Sequence, residues 1–503
     1  MKPITKYKGS IKLAAIGDAL GWITEFENNK QSLKEKYNVE EIKTFYNWEK
    51  KVGGKFNGYV DEIKEGSYSD DTQLVLSVAR SIKNGGDVDN EYFSKFELPN
   101  WLLYSRGAGR TVKNAAKMIQ RKSAKWNDNF FKFKINTNNI DYRDCGANGA
   151  AMRILPIALA NFGDFEKIKK EIFKNSIITH GHPRAIIGAI LYGDAINTIL
   201  LYREDSFSFN TFLIELGKDM HSKYSIKYLL EEEFFDWEMK WNSKYEINFR
   251  ELYQKTLDET QEYLRIIYRY LISEPIDLEV LKSLGCFDKE TKGSGISTVV
   301  AGIYFLCKYF DSPQKSLEKP VNFLGIDTDS IAAFTGGLLG ALYGQNIIPD
   351  KWKKIQDLEY LDVISERLLK ISEGNYNDFF NQDSNSDFNY LSNIQKDDLY
   401  INQKVYLDTL GEGIVTYIDR QDTLTKGKYN LIINVDFKIG QSGKFTKILN
   451  KDELKIDVND IEQFNKYLDG LDSLLINKIK LFMEILKESD KKEFIEIIEG
   501  IRK

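Results

Sequence analysis

Two short stretches of this 503-residue chain set acids and hydroxyls side by side at the edge of an apolar run. They are Ser69-Asp70-Asp71-Thr72 in GSYSDDTQLVL and Asp327-Thr328-Asp329-Ser330 in GIDTDSIAAF. On a helix, residues two apart point about 200° from each other. Asp327 and Asp329 can therefore face one object only from a loop or a first helical turn. Ser and Asp suit helix starts, where a side-chain oxygen accepts from an orphan N–H and the dipole favours negative charge. One acceptor suffices for a cap, and a second carboxylate only adds repulsion. Two such clusters point to a positive partner that the sequence does not supply. Oxygen donors without a nearby His or Cys cluster suit a hard cation such as Mg2+, Mn2+ or Ca2+, not zinc. With three histidines in the chain, acid–base work at neutral pH falls to carboxylates or to water activated by such ions.

The whole chain is 42% hydrophobic and 29% charged, with a net charge of −5. That argues against a uniformly basic nucleic-acid-binding body and leaves room for a local basic patch. Cys145, Cys286 and Cys307 stand far apart with no CxxC spacing, which fits a reducing compartment better than a disulfide framework. The runs IKLAAIGDALGW and AIIGAILYGDAINTILLY are broken by Asp18 and Asp194, so neither reads as a signal peptide or a membrane span. A cytoplasmic protein without a membrane partner is expected.

The fold class expected is mainly α. Helical apolar spacing recurs through TQLVLSVARSI, AAMRILPIALANF, ISTVVAGIYFLCKYF and IAAFTGGLLGALYG, giving a helical catalytic domain over 1–372. The small residues of TGGLLGALYG read as close helix packing. Polar insertions at 122–142 and 204–292 read as surface helices and loops. An Asn-, Asp- and Ser-rich linker follows over 373–395. Short Val, Ile, Tyr and Phe runs broken by LGEG, KGK and IGQSGK then predict a small antiparallel barrel at 396–455, SH3-like in appearance. Helices are expected over 456–503.

Two other motif readings fit less well. A DDxxD magnesium motif needs an acid where Leu74 stands. The DxDx nucleophile loop of haloacid-dehalogenase-type phosphatases belongs near the start of an alternating strand–helix fold, whereas GIDTDS lies late in a helical region.

Taken in order, GDALGWITEF, SDDTQL, GANGAAMRILPIAL, THGHPRAIIGA, GSGISTVVAGIYF and GIDTDSIAAFTGGLLGALYG resemble the ADP-ribosylglycohydrolase family, which includes the dinitrogenase-reductase-activating glycohydrolase. The resemblance implies an all-helical fold, a cleft holding two Mg2+ ions (Mn2+ as the alternative) and hydrolysis of an N- or O-glycosidic bond to ADP-ribose. It implies metal ligation by Ser69, Asp70 and Asp71 and by Asp327, Asp329 and Ser330, with Ser standing for the family's Thr at both hydroxyl positions. Glu25 matches a glutamate that approaches a metal or the scissile bond. Asp71 and Glu25 are the catalytic candidates, and Asp70 also faces substrate. Gly146, Asn148, Gly149, Met152 and Arg153 match the loop around the diphosphate and ribose, and His180, Gly295 and Ile296 match positions near ADP-ribose. His182 reads as a helix-start histidine.

The carrier of ADP-ribose is left open as a protein side chain or a nucleic acid, with a cognate ADP-ribosyltransferase as an implied partner system. Arginine-directed bacterial relatives carry an aspartate in a loop that here reads YSRGAGRT, with Arg106 and Arg110 and no acid. That substitution favours an anionic carrier. The alternative is a catalytically inactive relative that binds ADP-ribose or serves structurally, but every carboxylate position is filled. Oligomeric state is not legible.

Overall fold

The computed structural model describes residues 2–27, 29–243, 246–273, 276–375, 389–394, 397 and 399–451. The helices that build the site are α1 (Pro3–Thr24), α2 (Asp70–Ser81), α3 (Arg110–Met118), α4 (Pro183–Leu200), α5 (Phe249–Ile272), α6 (Gly295–Tyr309), α7 (Thr328–Tyr343) and α8 (Leu358–Ser372). Among the described residues, no helix is long and apolar enough to cross a membrane. The three cysteines are free and buried.

At the centre, α1 and α7 run antiparallel with glycine against backbone. A Cβ built on Gly17 would fall 2.2 Å from the Ala332 carbonyl oxygen, and one on Gly336 would fall 2.0 Å from that of Leu13. Gly340 meets Gly9 and Gly21 meets Thr328 in the same way. On α1 these contacts recur every fourth residue, the i±4 ridge by which helices interlock. The small residues of TGGLLGALYG thus do the packing expected of them. Their consequence is positional: the C-terminal end of α1 lands on the N-terminal end of α7. Thr328 Oγ1 donates to the Gly21 carbonyl at 2.8 Å and locks that junction.

The insertions depart from expectation. Residues 132–141 form a hairpin of β3 (Lys132–Ile135) and β4 (Asn138–Asp141), preceded in the chain by a hairpin of β1 (Trp48–Val52) and β2 (Tyr59–Ile63). The alternation of FKFKI, and an Asn136 that accepts a φ of 53°, make the turn that the polar composition hid. Within 204–292, Trp237, Trp241, Phe249 and Tyr253 are buried together, so this insertion adds core as well as surface.

The C-terminal sheet has the order β5 (Asn389–Tyr390), β6 (Lys404–Leu407), β7 (Gly411–Asp422), β8 (Lys428–Phe437) and β9 (Ser442–Asn450). Its last four strands are antiparallel and make a half-barrel. The sheet packs on the helical body: the Phe445 and Tyr104 rings meet tilted at 5.7 Å, and Ser442 Oγ donates to Asp357 at 2.7 Å. Behind that contact lies a fully buried bidentate pair, Arg80 with Glu97 at 2.8 and 2.7 Å, and Arg80 also donates to Gln441 of the sheet. Part of the expected linker and all of the terminal helices at 456–503 lie outside the described residues.

Adding one methyl to the α1–α7 contact is a direct test. Gly336→Ala should lower stability by about 1–3 kcal/mol in urea unfolding, as overpacked cores do. A change within about 0.5 kcal/mol would contradict backbone-close packing.

Candidate active site

The first acidic cluster starts α2. Ser69 is its N-cap, and its hydroxyl accepts from the Asp71 N–H at 3.2 Å. Asp70 and Asp71 occupy the first turn and cap nothing. The second starts α7, where Asp327 holds the cap position without making a side-chain cap bond. Asp327 Oδ2 instead accepts from the Asn148 side-chain amide at 3.1 Å. The carboxylates therefore exceed what capping uses in both clusters. The two helix starts meet through Ser330 Oγ, which donates to Asp71 Oδ2 at 2.7 Å across 259 residues of sequence. Glu25 joins them from the end of α1, where its N–H donates to the Gly21 carbonyl.

Asp18 was not singled out as a site residue, yet it holds the α2 start in place. Fully buried, it accepts from the Ser69 N–H (3.1 and 3.2 Å), the Thr72 N–H (3.0 Å) and the Thr72 hydroxyl (2.6 Å). Its one sequence signal is an acid inside an apolar run. Loop 104–109, the first six residues of the YSRGAGRT stretch, passes over the same place. A Cβ on Gly107 would lie 3.1 Å from Asp70 Oδ1 and 3.2 Å from Trp22 Nε1, and this buried indole N–H has no hydrogen-bond partner among the described residues.

The electrostatics record the crowding. Burial, with Asp327 next, raises Glu25 to about 8, against a lowering pull from Lys50. Burial and Asp18 raise Asp70 to about 7, with Lys113 opposing. Burial and then Asp18, Asp70 and Asp327 hold Asp71 well above the usual carboxylate range, and burial with Glu25 and Asp327 does the same to Asp329.

The glycine-rich loop borders Asp327 on the other side. The Asn148 N–H donates to the Gly293 carbonyl at 2.9 Å, and the Gly295 N–H donates to the Gly146 carbonyl at 3.0 Å. Gly146, Asn148, Gly149 and Gly295 thus stand together beside the acids, and Met152 lines a small cavity with Asp71. The side chains of Arg153, His180 and Ile296 are fully buried. The turn Ala151–Arg153 aims Arg153 inward, where it donates to the Gly149 carbonyl, Asn175 and Thr179 and so braces the loop from behind. His180 lies under Gly149 with Nδ1 bonded to the Thr179 hydroxyl at 2.7 Å, and burial holds its pKa well below the usual value. Ile296 faces the core from the start of α6. His182 caps α4 through Nδ1, which accepts from the Arg184 N–H at 3.1 Å.

Among the described residues, no three His, Cys, Asp or Glu side chains converge tightly enough to form a ready-made ligand set. The donor chemistry nonetheless suits a hard divalent ion: hard oxygens only, several of them charged, buried and mutually repelling, with lysines rather than ion-pair partners as the nearest positive charge.

The ADP-ribosylglycohydrolase family profile matches residues 1–378, and the chain belongs to that family. It is an ADP-ribosylglycohydrolase, a hydrolase acting on glycosyl bonds. It is 24% identical over 364 residues to the ADP-ribosylhydrolase ARH3 of Gallus gallus, covering 70% of this chain and 89% of the relative. Against the ADP-ribosylarginine hydrolase Tri1 of Serratia proteamaculans (strain 568) it is 22% identical over 375 residues, covering 73% and 79%. The ADP-ribosyl-[dinitrogen reductase] glycohydrolase of Rhodospirillum rubrum matches 190 residues at 27% identity, 37% of this chain and 55% of the relative. A solved ADP-ribosylglycohydrolase-related protein complex is similar over 74% of this chain and 99% of its own, at 16% identity and a TM-score of 0.48.

The raised carboxylates carry a stability consequence for the metal-free protein. The folded state keeps protons that the unfolded chain gives up, so stability falls as pH rises from the ordinary carboxylate value to the raised one. In EDTA, the Tm should drop steadily between about pH 5 and about pH 8. A Tm that stays flat or rises across that window would contradict the mutual repulsion.

Proposed function

We propose that the chain removes ADP-ribose from a modified protein or nucleic acid, with two Mg2+ or Mn2+ ions seated among the acids. It would act in the cytoplasm, opposite an ADP-ribosyltransferase. The observation that carries this reading is the Ser330–Asp71 contact, which sets two carboxylate-rich helix starts face to face beside Glu25. Glu25, Ser69, Asp70, Asp71, Asp327, Asp329 and Ser330 would hold the ions. When bound, such ions polarise a ribose oxygen and make water a better nucleophile.

The chain's own residues supply the rest. Gly146, Asn148 and Gly149 form a loop without bulky side chains beside the acids, where backbone N–H groups can approach the diphosphate. Gly295 and Met152 flank it, while Arg153, His180 and Ile296 support it from behind. Asp71 or Glu25 positions a water at the anomeric carbon and takes its proton. The glycosidic bond breaks with its electron pair leaving on the carrier, which takes up the proton that the carboxylate removed from water, and the surrounding negative charge favours oxocarbenium character at that carbon. The half-barrel of β6–β9 is read as an SH3-like appendage of this catalytic domain.

Release of free ADP-ribose from protein- and nucleic-acid-linked substrates, with Mg2+, Mn2+ or EDTA, tests the reading. Asp71→Ala and Asp329→Ala should each lower turnover by about 10²–10⁴-fold with an unchanged circular dichroism spectrum. Near-normal turnover in either variant, or turnover indifferent to EDTA, would contradict it.

A further inference from the structure

The α2 acids are gripped from two sides. Asp18 holds the first turn from α1, and a second hold comes from the C-terminal sheet. The link is Asp357, the residue before α8. Its Oδ2 accepts from the Tyr68 hydroxyl, and Tyr68 is buried immediately ahead of Ser69. Its Oδ1 accepts from the Ser442 N–H at 3.1 Å and the Ser442 hydroxyl at 2.7 Å. The Gln356 amide closes the set, donating to Asp357 Oδ2 at 3.3 Å and to Ser442 Oγ at 3.0 Å. Asp357 stands at φ 56°, a left-handed conformation that a residue with a Cβ keeps only where its surroundings over-determine it. The backbone ahead of Tyr68 is fixed by the same segment. The Gln356 N–H donates to the Gly66 carbonyl at 3.0 Å, and a Cβ on Gly66 would fall 2.1 Å from the Lys354 carbonyl oxygen.

Neighbouring residues of the sheet reach the rest of α2. Gln441, next to Ser442, accepts from Arg80 near the end of the helix. Phe445 meets Tyr104, whose carbonyl accepts from the Gln73 side-chain amide of α2 at 3.1 Å. Gln73 Oε1 in turn accepts from the Arg106 N–H at 3.2 Å, in the loop that passes over Asp70. Among the described residues, no hydrogen bond or ion pair joins the sheet to the start of α7. The sheet therefore acts on one acidic helix start and not on the other. Covering the helical body would need only apolar contacts such as Phe445 with Tyr104. A polar chain that ends beside Ser69 does more, because losing one hydroxyl frees Tyr68 to shift without opening the core.

We propose that the C-terminal sheet is a positioning element of the acidic site: through Ser442 and Asp357 it holds Tyr68, and through Tyr68 it sets where Ser69, Asp70 and Asp71 face the acids of α7. Tyr68, Asp357 and Ser442 are positioning residues, acting on the proposed ligands as hydrogen-bonded outer partners do. This rests on the metal-site reading above and gives the appendage a part in it.

Mn2+ binding to the full chain, read from the electron paramagnetic resonance signal of free Mn2+, tests this without turnover. Tyr68→Phe should weaken binding by about tenfold, and Ser442→Ala should weaken it in the same direction. Combining the two should cost less than the product of the single losses, since both act through Asp357. Ser442→Thr, which keeps the hydroxyl, should bind as wild type does. Tyr429→Phe removes a buried hydroxyl of β8 that donates to Asp397 at 2.8 Å, away from α2, and should leave Mn2+ binding unchanged. On an ADP-ribosylated substrate that wild type hydrolyses, Tyr68→Phe and Ser442→Ala should lower kcat at saturating Mn2+ and leave KM alone. Wild-type Mn2+ affinity in both variants, or an equal loss in Tyr429→Phe, would make the sheet a cover only and overturn the inference. Absence of Mn2+ binding in wild type would instead overturn the metal-site reading, and this inference with it.

Discussion

The site depends on one contact, the glycine-to-backbone packing of α1 on α7. Because Gly9, Gly17 and Gly21 on one helix and Gly336 and Gly340 on the other leave no room for a side chain, the two helices have essentially one register. That register brings the end of α1, with Glu25, to the start of α7, with Asp327 and Asp329. Asp18, on the same stretch of α1, then fixes the start of α2 through three separate donors. A helical core thereby converts three distant acidic segments into one concentration of negative charge.

That concentration opposes folding. Buried carboxylates close together disfavour their charged forms, and here Lys50, Lys113 and hydrogen bonds from Ser330 and Asn148 oppose the repulsion. Two other buried acids are matched by opposite charge: Glu97 with Arg80, and Asp194 with Lys223. The contrast separates the two kinds of burial. Where acids are paired they hold the fold together; where they are left unpaired, we propose, the rigid surroundings keep them for a positively charged partner.

The acidic clusters, their helix starts and the packing role of TGGLLGALYG were legible because each depends on local sequence. Capping chemistry and small-residue spacing are written over a few neighbouring positions. The partners of those clusters were not legible in the same way. Asp18 looked like an interruption of an apolar run, and its role exists only once α2 folds back against α1. Lys50, Trp48 and the β1–β2 hairpin carried no recognisable signal, since their contacts are with residues on α1 and in a sheet more than 300 residues away. The resemblance alone named Arg153 and His180, and nothing local in the sequence shows that both side chains are buried.

The central claim is that the carboxylates of the α2 and α7 starts form one divalent-ion site. Crystals soaked in Mn2+ and measured at the manganese absorption edge test it most directly. The account predicts anomalous peaks between Asp70–Asp71 and Asp327–Asp329, with the Ser330–Asp71 hydrogen bond opened to admit them. Peaks confined to other surfaces, or an intact Ser330–Asp71 bond with no density between the two helix starts, would contradict it.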